Sequence, residues 1–427
     1  MRNKLFAIII LISILVIFCG CAKRSLPSFE ERVALENPED GDIKNLSIIF
    51  FDWEIYPEAN NYKILLWHED SLIWERIESG SSVKSSLPLK DGSYTWCVGV
   101  RIGEDDFDNW SDTLSFTINQ RPFEVKSNTE TPGLAHDCFP VENWLYVADG
   151  QSGLTIVNIE DILDISFVSN IDWYLQYDAR GLCADAEINI LAIADYRGEP
   201  PVYIFNITDR AEPVQIPVSS YPRLTDDVFG FWMRDTFFLL AADDDDGMYL
   251  FDFGTPGYII QRGDPYGTEA FLRGVVAWDT IAAVAIEDAG VDIINIANPD
   301  NKIHIGSCDT PGEATRLRYY DGYLYVADGI AGLAVIDVGD PANPERVYQS
   351  DTQVGEAQDI EFATLDGTDY LALAIGSDGV LFYCLDNPAS PELIHQLETP
   401  YAYGIGADNR AFYIADRDWG VVVTALE

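Results

Sequence analysis

Between residues 143 and 423 an apolar strand, a small acidic turn and a second apolar strand recur seven times. The clearest copy is Leu324-Tyr325-Val326-Ala327-Asp328-Gly329, followed by Gly332-Leu333-Ala334-Val335-Ile336-Asp337-Val338. The others begin at Leu145, Leu191, Phe238, Ala283, Leu371 and Phe412, with partner strands near Leu154, Val202, Tyr249, Val291, Val380 and Val421. A repeat of roughly 40–48 residues built only from short strands must stack on its neighbours to bury its apolar faces, and radial stacking makes a propeller. The strand nearest the axis is expected to begin near Ala135, Ala179, Asp227, Phe271, Ala314, Ala357 and Ala402. The last copy ends after its third strand, at Leu426-Glu427. Phe123-Glu124-Val125-Lys126 is expected to supply the fourth, which closes the ring and removes a bare sheet edge. The expectation is a seven-bladed β-propeller over residues 121–427.

Ahead of it, segments 46–53, 62–67, 93–101 and 113–118 read as short strands separated by turns, the pattern of an immunoglobulin-like sandwich over residues 35–119. The phrases Phe51-Asp52-Trp53-Glu54, Ala59-Asn60-Asn61-Tyr62-Lys63-Ile64, Gly92-Ser93-Tyr94-Thr95-Trp96 and Trp110-Ser111-Asp112 resemble bacterial fibronectin type III-like domains. That resemblance implies a fold and no catalytic residue. Trp53 and Trp96 are expected in the core. Trp67, Trp74 and Trp110 are either packed side chains or a sugar-stacking face.

Residues 1–20 read as a processing segment. Arg2 and Lys4 precede an apolar run from Leu5 to Phe18, shorter than the ~20 residues of a membrane span. The run ends in Phe18-Cys19-Gly20-Cys21, which resembles the lipobox of bacterial lipoproteins. The resemblance implies lipid on Cys21, a tether over residues 21–34 and, because Ala22 is not an Asp, an outer-membrane location on the periplasmic or surface side. Membrane attachment would then be through the acyl chains alone. The remaining five cysteines, Cys97, Cys138, Cys183, Cys308 and Cys384, form no disulfide framework, although Cys138 and Cys183 occupy similar places in adjacent repeats.

With 26 Lys+Arg against 71 Asp+Glu and a net charge of −45, the chain repels nucleic acid and suits basic partners, cations or a salty exterior. The stretch from Gly332 through Asp340-Pro341-Ala342-Asn343-Pro344 resembles the LVIVD repeat family, which implies a propeller in an envelope setting without a general active site. Asp149, Asp195, Asp243, Asp328 and Asp416 recur once per repeat, so they are expected to shape turns. Asp243-Asp244-Asp245-Asp246 breaks the pattern and offers either a solvated acidic loop or a weak calcium site.

The starts of the innermost strands bring His136, Asp137, Arg180, Asp227, Arg273, Arg316, Asp359 and Tyr403 to one channel mouth. Guanidinium forks suit anions. This set is therefore either an anion or acidic-glycan pocket, or an internal ring of ion pairs. No nucleophile elbow is present. The expected function is non-catalytic recognition of an envelope protein or polysaccharide, without a cofactor. The alternative is a calcium-assisted hydrolase at the same mouth.

Overall fold

The computed structural model describes residues 32–44, 49–57, 59–85, 89–103, 106–107, 109–119, 123–171, 178–196, 202–217, 225–244, 246–255, 258–267, 271–350 and 355–427. Cys21, its preceding segment and Asp245 lie outside them. Every regular element among the described residues is a β-strand. The chain divides into two compact units, Met1–Gln120 and Arg121–Glu427.

In the first unit a three-stranded sheet (Leu35–Asn37, Phe50–Trp53, Ser82–Lys84) faces a five-stranded one. The larger sheet runs Asp42–Lys44, Leu114–Ile118, Gly92–Arg101, Asn61–His68, Ser71–Glu78. Strand alternation turns Tyr62, Ile64 and Leu66 inward, where they meet Phe51, Trp53, Trp96 and Val98 in one core. Trp74 lies 5.8 Å from the Phe51 ring. Trp110 covers Gly99, where a Cβ would meet its ring at 2.8 Å. These two tryptophans pack on the sandwich rather than forming an open platform.

The second unit holds seven four-stranded antiparallel sheets among the described residues. Their innermost strands are Asp137–Val141, Ala179–Asp185, Thr225–Met233, Gly274–Trp278, Arg316–Tyr320, Asp359–Leu365 and Ala402–Ala407. Each lies beside the next, and the last returns to the first, so the sheets form a closed ring. They are called sheets one to seven below, in that order. The seventh is completed by Phe123–Thr129, which pairs with Gly420–Leu426. Phe123 anchors this closure, stacked on Phe382 at 3.9 Å and edge-on to Tyr370 and Phe412.

The recurring acidic residues are structural. Asp149 is fully buried and accepts hydrogen bonds from Thr131 Oγ1 (2.7 Å), Thr155 Oγ1 (2.8 Å) and the Gly133 amide (2.9 Å). Asp328 accepts from Thr310 and the Gly312 amide in the same way. Each ties the turn of its own sheet to the incoming loop. Asn158, Asn206, Asn295 and Asp337 instead accept from the amide two residues on, the short turn that launches the fourth strand.

Candidate functional site

At one mouth of the channel the innermost strands begin with residues whose register is set by hydrogen bonds to the second strand. The amides of His136, Arg273, Thr315 and Gln358 donate to Ala148, Ala285, Ala327 and Ala374. In sheets two, three and seven the register shifts at Arg180, Asp226 and Tyr403. Such bulges re-aim a side chain and leave the strand free to continue. These seven residues are therefore equivalent. Thr315, not Arg316, is the partner of Arg180 and Arg273, which corrects the sequence alignment by one position. Arg316 lies one residue further in, level with Asp137, Asp227 and Asp359.

That deeper layer holds the sheets together. Asp137 accepts from the Leu182 amide (3.1 Å), Asp227 from the Val275 amide (3.1 Å) and Asp359 from the Ile405 amide (2.9 Å). Each bond crosses to the neighbouring sheet. The neighbour carries glycine just before the donating residue, namely Gly181, Gly274 or Gly404. A Cβ at Gly404 would meet the His136 carbonyl at 2.4 Å, so no other residue fits there. Arg316 reaches back to the carbonyls of Arg273 (2.9 Å) and Asp226 (3.2 Å) and lies 3.8 Å from Asp227. Two residues on, and so on the same strand face, Arg318 pairs with Glu361 at 3.2 Å and stands 3.7 Å from Asp359. Burial pushes Asp137 well above the usual carboxylate range, and repulsion from Asp359 adds to it. Asp227 and Asp359 are raised by burial too, against the pull of the two arginines.

Above this layer the arginines are committed. Arg180 pairs with Asp226 (2.6 Å) and Asp178 (3.1 Å) and covers the Tyr196 ring at 3.7 Å. Arg273 pairs with Asp226 (2.6 Å), Glu287 (2.7 Å) and Asp244 (3.3 Å). Burial opposes ionisation of Asp226, but Arg180 and Arg273 outweigh it and hold the carboxyl below its ordinary value. Asp244 is pushed up to about 7 by burial and by the charge of Asp226. His136 lies 4.6 Å from the Tyr403 ring, and burial lowers its pKa in spite of Asp178. These ion pairs join sheets two, three and four at the mouth.

A cavity of 310 Å³ remains at this mouth. Of the residues expected there, His136, Asp137, Arg180, Arg273, Arg316, Asp359 and Tyr403 line it, while Asp227 lies beneath. Glu287, Glu313 and Glu356 also line it and were missed, because they sit in turns and loops outside the aligned strand starts. On the far side of the buried layer a second cavity of 350 Å³ is lined by Phe139, Phe229, Tyr319, Phe362, Arg318 and Glu361, among others. Strand alternation from Arg316 and Asp359 would have pointed to Arg318 and Glu361.

Of the four consecutive aspartates, the three described ones do not gather. Asp243 accepts from the Asp246 amide, Asp246 takes the Tyr249 hydroxyl, and Asp244 turns to the channel. Among the described residues no three His, Cys, Asp or Glu side chains converge as a metal site. Cys138 and Cys183 are free, buried thiols.

Comparison with known proteins fits this architecture. The LVIVD repeat pattern matches residues 132–178, 280–310 and 311–352. The chain carries LVIVD repeats. Among solved structures it is similar to the WD40 beta propeller domain of Doa1, at 10% identity and a TM-score of 0.56, covering 72% of this chain and 98% of that one. It is also similar to the Cps50 (Swd1) beta-propeller domain of Myceliophteria thermophila, at 13% identity and a TM-score of 0.53, covering 71% and 99%. At such identity the likeness concerns fold alone: the larger unit is a β-propeller. No curated protein matches the sequence.

Proposed function

We propose that this chain is a lipid-anchored bacterial envelope protein in which a fibronectin III-like sandwich carries a seven-bladed LVIVD propeller that recognises a protein or polysaccharide. The observation that carries the binding role is the preformed recess of 310 Å³ whose walls are fixed by ion pairs between sheets. A rigid recess on a ring of loops binds without paying for its own ordering. The lipobox-like Phe18-Cys19-Gly20-Cys21 supports the anchor at Cys21, and Ala22 in place of an Asp supports the outer-membrane assignment. Neither nucleic acid nor a cofactor enters this reading.

The calcium-hydrolase reading draws on one feature, the mutual repulsion of Asp137 and Asp359. Arg316 and Arg318 standing among those carboxylates oppose it. A photo-crosslinker placed at Glu356, with a second at Phe362 near the far cavity, tests the binding role in the native envelope. Reproducible capture of one partner from Glu356 and not from Phe362 supports it. Absence of capture from both, with stoichiometric calcium bound in calorimetry, favours the hydrolase.

A further inference from the structure

The channel-mouth cavity has a charge opposite to the one its arginines suggest. Among the described residues six carboxyl groups line it, those of Asp137, Asp226, Glu287, Glu313, Glu356 and Asp359, against three guanidinium groups. Those three are spent: Arg180 and Arg273 on carboxylates, Arg316 on two main-chain carbonyls. An anion entering here would find few free donors and an excess of negative charge, within a chain of net charge −45. The acceptors are in the reverse condition. Among the described residues Glu313 and Glu356 enter no ion pair or side-chain hydrogen bond, and Glu356 is exposed at the rim. Asp359 is only 2% exposed, yet among the described residues its Oδ1 receives no hydrogen bond and has Arg318 at 3.7 Å. That unfilled acceptor on the cavity lining, below two unpaired carboxylates, asks for a donor that carries positive charge.

Shape narrows the class. Tyr403 forms one wall, with His136 and Tyr401 each 4.6 Å from its ring. An aromatic wall beside carboxylates favours an organic cation, which gains from the ring quadrupole as well as from the charge. At 310 Å³ the space is at the small end of ligand pockets, suited to one long side chain rather than a folded segment.

We infer that the recess takes a protonated amine or guanidinium group, with Glu313 and Glu356 drawing it in and the Tyr403 wall flanking it. This rests on the propeller being a recognition module and names the chemistry of what it recognises. Two sources share that chemistry: a lysine or arginine side chain of a partner protein, and a free diamine.

The test uses the full-length protein, with calorimetric titration of acetyl-lysine-methylamide, acetyl-arginine-methylamide, putrescine and sodium sulfate. The variant is Glu313→Gln/Glu356→Gln, at side chains that take no part in the ion pairs of Arg180 and Arg273. Saturable binding of an amine or guanidinium probe, weakened at least 10-fold in the variant and not competed by sulfate, supports the inference. Tighter binding of the capped amino acids assigns a protein side chain, and tighter binding of putrescine assigns a free diamine. Binding of sulfate, or cation binding unchanged in the variant, overturns the inference. Partner capture from the crosslinker at position 356, which itself replaces Glu356, also overturns it if it persists when Glu313→Gln is added, while leaving the recognition role standing. Failure of every probe together with loss of capture sinks both.

Discussion

Arg316→Met is the most informative single change, because the reasoning about the channel rests on that guanidinium. Its side chain keeps only 15% of its exposure and stands 3.8 Å from Asp227, with two carbonyls accepting its donors. Truncating one member of a buried ionic group costs about 3–5 kcal/mol, since the partners stay behind uncompensated. Residual exposure puts Arg316 near the lower figure. At roughly 2–4 °C per kcal/mol for large domains, the melting temperature should fall by about 6–12 °C. The loss should also depend on pH. Asp137, Asp227 and Asp359 already have raised folded pKa values, so the native protein holds protons that the unfolded chain sheds. Their stabilising share is complete below the unfolded carboxyl value and is lost as pH rises through the folded values. Removing Arg316 raises those values further, so the variant should lose more at pH 8 than at pH 5.5. Differential scanning calorimetry of wild type, Arg316→Met and Arg316→Lys across that range measures it, with the lysine variant expected between the other two. A loss below about 1 kcal/mol, or one of equal size at both pH values, would refute the claim that Arg316 neutralises the buried carboxylates.

Other changes probe separate parts of the ring. Gly404→Ala, which sets a methyl 2.4 Å from the His136 carbonyl, should cost upward of about 2 kcal/mol in urea unfolding, whereas Gly267→Ala, with open space around it, should be nearly silent. Phe123→Ala removes the fully enclosed ring that pins the closing strand and should cost about 3–5 kcal/mol, with faster amide exchange along Phe123–Thr129 and Gly420–Leu426. Asp244 titrates at about 7, so wild-type stability should decline between the unfolded carboxyl value and neutrality. Asp244→Asn should flatten that decline, by no more than about 2 kcal/mol once solvent screening is allowed for. An unchanged slope would mean that the carboxyl ionises freely.

Much of the larger unit was legible because its repeat is periodic at two levels. Short apolar runs recur within each copy, as in Tyr323–Ala327 and Leu333–Asp337, and mark strands, and recurrence of the copy marks sheets. Even the closing strand could be anticipated, because a final copy lacking its fourth strand demands a partner from elsewhere, and Phe123–Thr129 provides it. The site was legible only to within one residue. Arg316 looks like the counterpart of Arg180 and Arg273 in a linear alignment, but bulges at Arg180, Asp226 and Tyr403 shift register by one, and sequence does not display them. Thr315 takes the mouth position, and its hydroxyl bonds the carbonyls of Ala327 and Ala357. The sharing of Asp226 by two arginines was equally hidden, since it joins three different sheets. Composition misleads in the same way: arginines in an acidic chain suggest an anion site, and only their pairing reveals that they are occupied.

The deeper layer follows from arithmetic on a closed ring. Seven sheets meet at the axis, and at Gly181, Gly274 and Gly404 the neighbouring strand lies so close that a second side chain has no room at that level. The economical solution alternates a residue that reaches across with one that gives way. From sheet six onward the order is Asp359, Gly404, Asp137, Gly181, Asp227, Gly274, each Asp bonding the amide that follows the next Gly. An odd ring cannot close on a two-step pattern, so one position is left over, and Arg316 in sheet five fills it. Its seam with sheet six has no glycine and is bridged instead by Thr315 and by the Arg318–Glu361 pair. The same residue that resolves the geometric mismatch also brings positive charge to three buried carboxyls. A neutral residue at position 316 would leave the mismatch resolved and the charge not. That is why methionine there should be tolerated better in acid than in base.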